Sequence, residues 1–316
     1  SEGELLAGAS DALGSGTTTL LHGSTLGLSD TLEISKDVVL DLGVARVSVD
    51  AGSATLSGSL SGSGYMSKVG SGILSLSEAN THAGTNVVDG ELIARNAEAL
   101  GLGTTNLSNG VTLGLAEDIN VANSITAEAG AQNISVASGT STLSGVMDGT
   151  STLTKTGAGT LALTAANTLT TGLVISAGEL LAADDSALGS GEVSVSDGAT
   201  LGFTNDITVA NDVSLSSGNQ NLSVTAGTST LTGVISGFGA PTKIGGGTLA
   251  LSGTNTFESL AISSGEVIAG NADALGAGTT TLSDSAALGF ADSITVNNPV
   301  VLESGTQSLR VGSGSA

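Results

Sequence analysis

Residues 155–189 read KTGAGTLALTAANTLTTGLVISAGELLAADDSALG. Within this stretch Thr160-Leu161-Ala162-Leu163 alternates polar or small with aliphatic side chains, a period of two that marks a strand with one face inward. The run is bounded by Gly157-Ala158-Gly159 before it and by Asn167 after it, residue types that supply permissive backbone angles or bond their own backbone in turns. The same short alternation continues at Glu192–Val195, Ile207–Val209, Val213–Leu215 and Leu222–Val224, each halted by Gly, Asn, Asp or Ser. No helical spacing is sustained, so the segment predicts strands of about three to five residues joined by tight turns.

The stretch recurs. KIGGGTLALSGTNT begins at Lys243 and KVGSGILSLSEANT at Lys68. Gly-Glu-Leu/Val falls at Gly3, Gly90, Gly178 and Gly265, and Ala-Leu-Gly at Ala12, Ala99, Ala187 and Ala274, both with spacings of 87, 88 and 87. Two markers in one register define repeat units 1–67 (partial), 68–154, 155–242 and 243–316 (partial). No composition shift or Pro-rich linker interrupts them, so residues 1–316 read as a single domain. The opening Ser1-Glu2-Gly3-Glu4-Leu5-Leu6-Ala7 reads like the interior Ser176–Ala182, as expected of a piece of a longer protein.

Composition narrows the class. Of 316 residues, 48 are Gly, 2 Pro and 5 aromatic, with no Trp and no Cys; 11% are charged, and the mean hydropathy is +0.34. Disorder through excess charge is thereby excluded, and the core must be built from Leu, Val, Ile, Ala and Thr. Seven basic against 29 acidic residues give a net charge of −22, which repels nucleic acid and anionic membrane faces. The absence of Cys removes disulfides, thiolate metal sites and thiol nucleophiles. No apolar run reaches the roughly 18 residues of a membrane helix.

Short strands in an 87-residue repeat exceed a propeller blade of about 40–50 residues and divide into four windings of about 22. The expected fold is all-β, a right-handed parallel β-helix of about 14 coils and roughly 65–70 Å, stacking Leu161, Leu163, Val174, Leu201, Ile207, Val209 and Leu222 inward.

Residues 155–189 also resemble the passenger-associated transport repeat of Gram-negative autotransporters: Gly-x-Gly-Thr-Leu-x-Leu, then Asn-Thr, then Gly-Glu-Leu. The pattern occurs three times, and in part a fourth time at residues 3–14. One departure is Thr168-Leu169-Thr170-Thr171-Gly172, where the family has an aromatic; Phe257 supplies that aromatic one repeat later. The resemblance implies a β-helical passenger secreted through a C-terminal outer-membrane translocator barrel and held at the cell surface. It implies an adhesin or self-associating protein in aggregation, biofilm formation or host attachment, with a second copy or a host surface protein or glycan as partner. An inert stalk presenting an N-terminal functional domain is the alternative, and a polysaccharide-cleaving β-helix a further one.

Catalytic and binding signatures are not evident. His22 and His82 lack metal-binding spacing and read as exposed turn or strand residues. The glycines at 157–159 and 245–247 lack the Gly-Lys-Ser/Thr of a phosphate loop and read as turns. Asp184-Asp185 reads as solvated, since its counterparts are Asn96-Ala97 and Asn271-Ala272. Lys68, Lys155 and Lys243 share one repeat position and read as salt bridges or solvated turns. Asn80, Asn167 and Asn255 read as self-bonding turn residues. Threonines 17–19 and 279–281 recur too sparsely for an ice-binding face. Glycan cleavage needs clustered carboxylates with stacking aromatics, and one Tyr without Trp does not supply them. The sequence therefore points to no enzyme, no cofactor and no metal, with catalytic, cofactor-binding and metal residues all none.

Overall fold

The computed structural model describes residues 3–311; Ser1 and Glu2, part of the opening stretch compared above, and residues 312–316 lie outside them. The described residues contain no helix, only strands of two to six residues, and the strand pairings run parallel. The fold is a β-solenoid of about 15 turns at about 21 residues per turn, where the sequence arithmetic gives about 14 of 22. Contacts divide the chain into two compact units, Ser1–Gly159 and Thr160–Ala316.

In the first unit each turn passes through up to three sides. One sheet stacks Val44–Ser48, Tyr65–Val69, Gly84–Val87, Thr105–Leu107, Ile125–Ala127 and Met147–Gly149. The next side stacks Ser53–Leu56, Ile73–Leu76, Glu91–Ala94, Thr112–Leu115, Ala131–Val136 and Thr152–Thr156. Register places Leu74, Leu92, Leu113 and Ile134 one above another, all buried, because a period of two sends alternate residues to the same face at every level. Each such aliphatic contributes roughly 1.5–3 kcal/mol of gross burial.

The second unit repeats this arrangement. Leu161, Leu180, Leu201 and Leu222 form one interior column. Leu163, Ile207 and Val209 are also buried, as read from the sequence. Val174 is not in the core. In the run Leu173-Val174-Ile175 both flanking residues point inward, so the alternation turns Val174 outward beside Ser194 and Ser214.

The repeat is not commensurate with the turn. After the Lys68 strand, the chain revisits that sheet four times before Lys155 appears on the following side, in Thr152–Thr156. In the second unit Thr160–Leu163 shares its sheet with Thr242–Ile244, whereas its repeat counterpart Thr248–Leu251 lies on another. Eighty-seven residues thus make four turns plus one side, and not four windings. Repeat-equivalent residues migrate from side to side and do not stack in rows.

Leu161→Asp places a carboxylate in the aliphatic column with no counter-charge. Amide exchange is expected to accelerate first in Glu179–Ala182, its register partner, before Ala287–Phe290, since contacts in such arrays are nearest-neighbour. Uniform acceleration across the second unit, or none, overturns the coil-by-coil account.

Candidate functional site

The corners of the coils bring together the polar residues singled out above. Lys68, Lys155 and Lys243 are buried, which corrects their reading as solvated or ion-paired side chains. Each lies on an inward position of its strand just before the Gly-x-Gly corner, where carbonyls converge on the interior. Lys68 Nζ donates to the carbonyls of Gly70 (2.6 Å) and Asp89 (2.8 Å). Lys155 Nζ donates to Thr156 and Gly157, and Lys243 Nζ to Ile244, Gly245, Gly247 and Ser264 at 2.8–3.2 Å. An ammonium group with three donors suits such a cage. Desolvation pulls the pKa of Lys68 and of Lys243 down from 10.5 to about 8; at Lys68 the charges of Asp89, Asp50 and Glu91 oppose it. Gly157 and Gly245 make the corners possible, with φ of +77° and +80° and the carbonyls of Val136 and Val224 directly beneath.

The asparagines bridge coils, in place of the self-bonded turns expected. Asn80 Nδ2 donates to the Ala99 carbonyl (2.6 Å) while its Oδ1 accepts from Leu60 N–H (2.7 Å), one residue in the coil above and one in the coil below. Asn255 does the same between Ala274 and Ile235, and Asn167 donates to Ala187. All three are buried, and none has a positive φ.

His82 is fully buried, contrary to the exposed position expected. It follows Asn80-Thr81 as Phe257 follows Asn255-Thr256, so its imidazole fills the slot that Phe257 fills in its own repeat. Gly101 and Gly276 leave room for the two rings. His82 Nε2 hydrogen-bonds Thr85 Oγ1 at 2.9 Å, and desolvation lowers its pKa from 6.5 to about 4 against a smaller opposing effect of the Leu60 carbonyl. His22 is exposed, its Nδ1 accepting from Val44 N–H at 3.0 Å.

Carboxylates cap successive coils. Asp30, Asp37 and Asp118 accept from the backbone N–H of Ser53, Ser59 and Thr140, and Asp206, Asp212 and Asp284 from Thr228, Val234 and Thr306. Asp185 likewise accepts from Thr208 N–H one coil on, and Asp184 accepts from Ser186 N–H within its own corner. Among the described residues no three His, Asp or Glu converge as a metal site. Thr280 is buried, so threonines 279–281 do not form an exposed row.

The outer surface is therefore more one-signed than the net charge conveys. Three of seven cations are inside, and no described Asp or Glu is buried. A shallow concavity of about 410 Å³ is lined by residues that include Glu91, Ile93, Arg95, Gly114, Glu117 and Ser135. Sequence reading missed this grouping because Arg95 and Glu117 lie 22 residues apart and meet only through coil stacking. No aromatic side chain lines it.

The passenger-associated-transport-repeat family model matches residues 66–94, 153–182 and 242–268. Each match runs from the strand of a buried lysine, through the bridging asparagine, to the Gly-Glu strand, so the resemblance read from the sequence holds. No curated protein and no solved structure gives a match.

Two pH responses follow. Lys68 and Lys243 hold fewer protons folded than unfolded between about pH 8 and 10.5, so stability rises with pH across that window. In Lys243→Met the rise is expected to shrink by about half, with lower overall stability from the undonated carbonyls; an unchanged slope of thermal midpoint against pH refutes the cage. His82 stays neutral down to about pH 4 in the folded chain, so stability is lost as pH falls from 6.5 towards 4. His82→Phe, copying Phe257, should flatten that loss in a thermal melt series.

Proposed function

We propose, on the premise that this β-solenoid carries three passenger-associated transport repeats, that it is a surface-displayed autotransporter passenger acting in adhesion or self-association. The repeats imply a cell-surface or outer-membrane-anchored protein delivered through an outer-membrane translocator. A chain whose contacts are mostly between successive coils can cross a membrane extended and fold outside by adding coil to coil, at low loop-closure cost. The supporting observation is the outer wall: outward strand positions such as Asn106, Thr126, Ser194, Ser214 and Glu179 are polar or acidic, interspersed with aliphatics such as Ile93 and Val174, and three of the seven cations are buried. Recognition by such a wall is multivalent hydrogen bonding, each contact weak and amplified by display in many copies. We assign no enzymatic activity to it.

The stalk reading competes, and one deletion separates the two. Removing residues 68–154 takes out one repeat; an adhesive wall then loses adhesion in proportion, whereas a spacer retains it in full. If walls of like charge associate, salt screens their repulsion and acid reduces it. Cells displaying the full-length protein are therefore expected to sediment faster in 300 mM than in 30 mM NaCl, and faster at pH 5 than at pH 8. Slower sedimentation under both conditions counts against association through these walls.

A further inference from the structure

The Ala-Leu-Gly corner recurs four times, and 24 residues after its alanine the next turn places one side chain against it. In three copies that side chain is asparagine. Asn123 Nδ2 donates to the carbonyls of Gly101 (2.9 Å) and Gly103 (2.8 Å), Asn211 to Gly189 (3.1 Å) and Gly191 (2.7 Å), and Asn298 to Gly276 (2.9 Å) and Gly278 (2.8 Å). Beside each asparagine lies a crevice. The volumes are about 180 Å³ at Glu98, 240 Å³ at Asp185 and 240 Å³ at Asp273. In every copy one exposed carboxylate stands on the rim: Glu98 and Asp273 directly precede the alanine, and Asp185 stands one residue earlier, where Ser186 takes their place.

The first copy differs, and the difference indicates what the crevice accepts. Its corner is Ala12-Leu13-Gly14-Ser15-Gly16, with Asp11 as the rim carboxylate, and the position of the three asparagines is held by Lys36. Lys36 Nζ donates to the Ser15 carbonyl at 2.9 Å. Here the chain presents its own alkylammonium to the corner. The carbonyls equivalent to that of Ser15 belong to Leu102, Ser190 and Ala277, residues that line the three crevices. Apolar surface for a methylene stem is also present, from Leu102, which is 76% exposed, from Ala210 and from Pro299.

We infer that these three crevices bind the side-chain ammonium groups of lysines on a polypeptide partner, in the manner that Lys36 occupies the first. A carboxylate and a carbonyl are both acceptors, so the ligand must bring donors; an ammonium on a flexible stem brings three. The surrounding acidic surface draws such a partner in, and several lysines on one chain engage several crevices at once. The inference concerns the purified chain and does not rest on surface display, so either can fail without the other.

The test is titration of the isotopically labelled full chain in 150 mM NaCl with N-acetyl-lysine methylamide and with pentalysine, followed by amide NMR. Shifts are expected at residues 101–103, 189–191 and 276–278, and none with N-acetyl-norleucine methylamide. Converting all three asparagines to lysine (Asn123→Lys, Asn211→Lys, Asn298→Lys) copies the first corner and fills the crevices; affinity for pentalysine should fall at least tenfold. A control carrying Thr140→Lys, Ser217→Lys and Ser263→Lys adds the same charge elsewhere and should keep most of the binding. Glu98→Gln, Asp185→Asn and Asp273→Asn together should weaken it without altering the corner amides. The inference is overturned if pentalysine shifts carboxylate neighbours throughout the chain without preference for the corners. Equal loss in the control, or equal shifts with glucosamine, overturns it as well.

Discussion

Parallel coils stacked without helices leave the corners as the place where backbone polar groups have no strand partner, and a buried group without one is costly. This chain resolves much of the problem by one device, a side chain of one coil that satisfies the backbone of the next, and the lysines add carbonyls of their own corner. Lysine cages take inward-facing carbonyls, Asn80 and Asn255 take a carbonyl above and an N–H below, and aspartates take exposed N–H groups one turn on. Because the asparagine and aspartate bonds, with those of Lys68 to Asp89 and of Lys243 to Ser264, span 19 to 23 residues, each turn's stability depends on its neighbours. The acidic composition follows from this in part, since many carboxylates serve as corner caps.

The mismatch between repeat and turn has the wider consequence for recognition. A repeat of a whole number of turns would align equivalent residues in a row along one side. Here a repeat advances by one side, so Lys68 and Lys155 stand on different sheets of the first unit. The Gly-Glu strands and their facing glycines follow: Gly27 and Gly114 sit on different sheets of that unit, and Gly202 and Gly289 on different sheets of the other. No side gains a monotonous array, and a partner meets the same local chemistry from several directions. Such a distribution suits many weak contacts better than one specialised groove.

Much of this was legible from residues alone. Period-two alternation identified Thr160–Leu163 and the strands after it, and Gly-x-Gly placed the corners. The 87-residue markers announced a repeat architecture. What escaped was whatever depends on the phase of one coil against another. Lys155 reads as a surface cation by its charge, yet its strand alternation already put it on the inward face. His82 reads as an isolated histidine until it is aligned with Phe257, which shows that it stands in an aromatic slot. Val174 was misplaced because three consecutive aliphatics give alternation no way to choose its phase.

The sequence by itself determined the strand period, the corner residues and the repeat, since these are set by side-chain alternation and backbone permissiveness within a few residues. Only the tertiary structure decided how many residues complete a turn, and hence which side each repeat faces and which carbonyls meet each lysine. That number depends on the summed geometry of strands and corners around a closed circuit, and an error of one side in thirteen is invisible to local pattern.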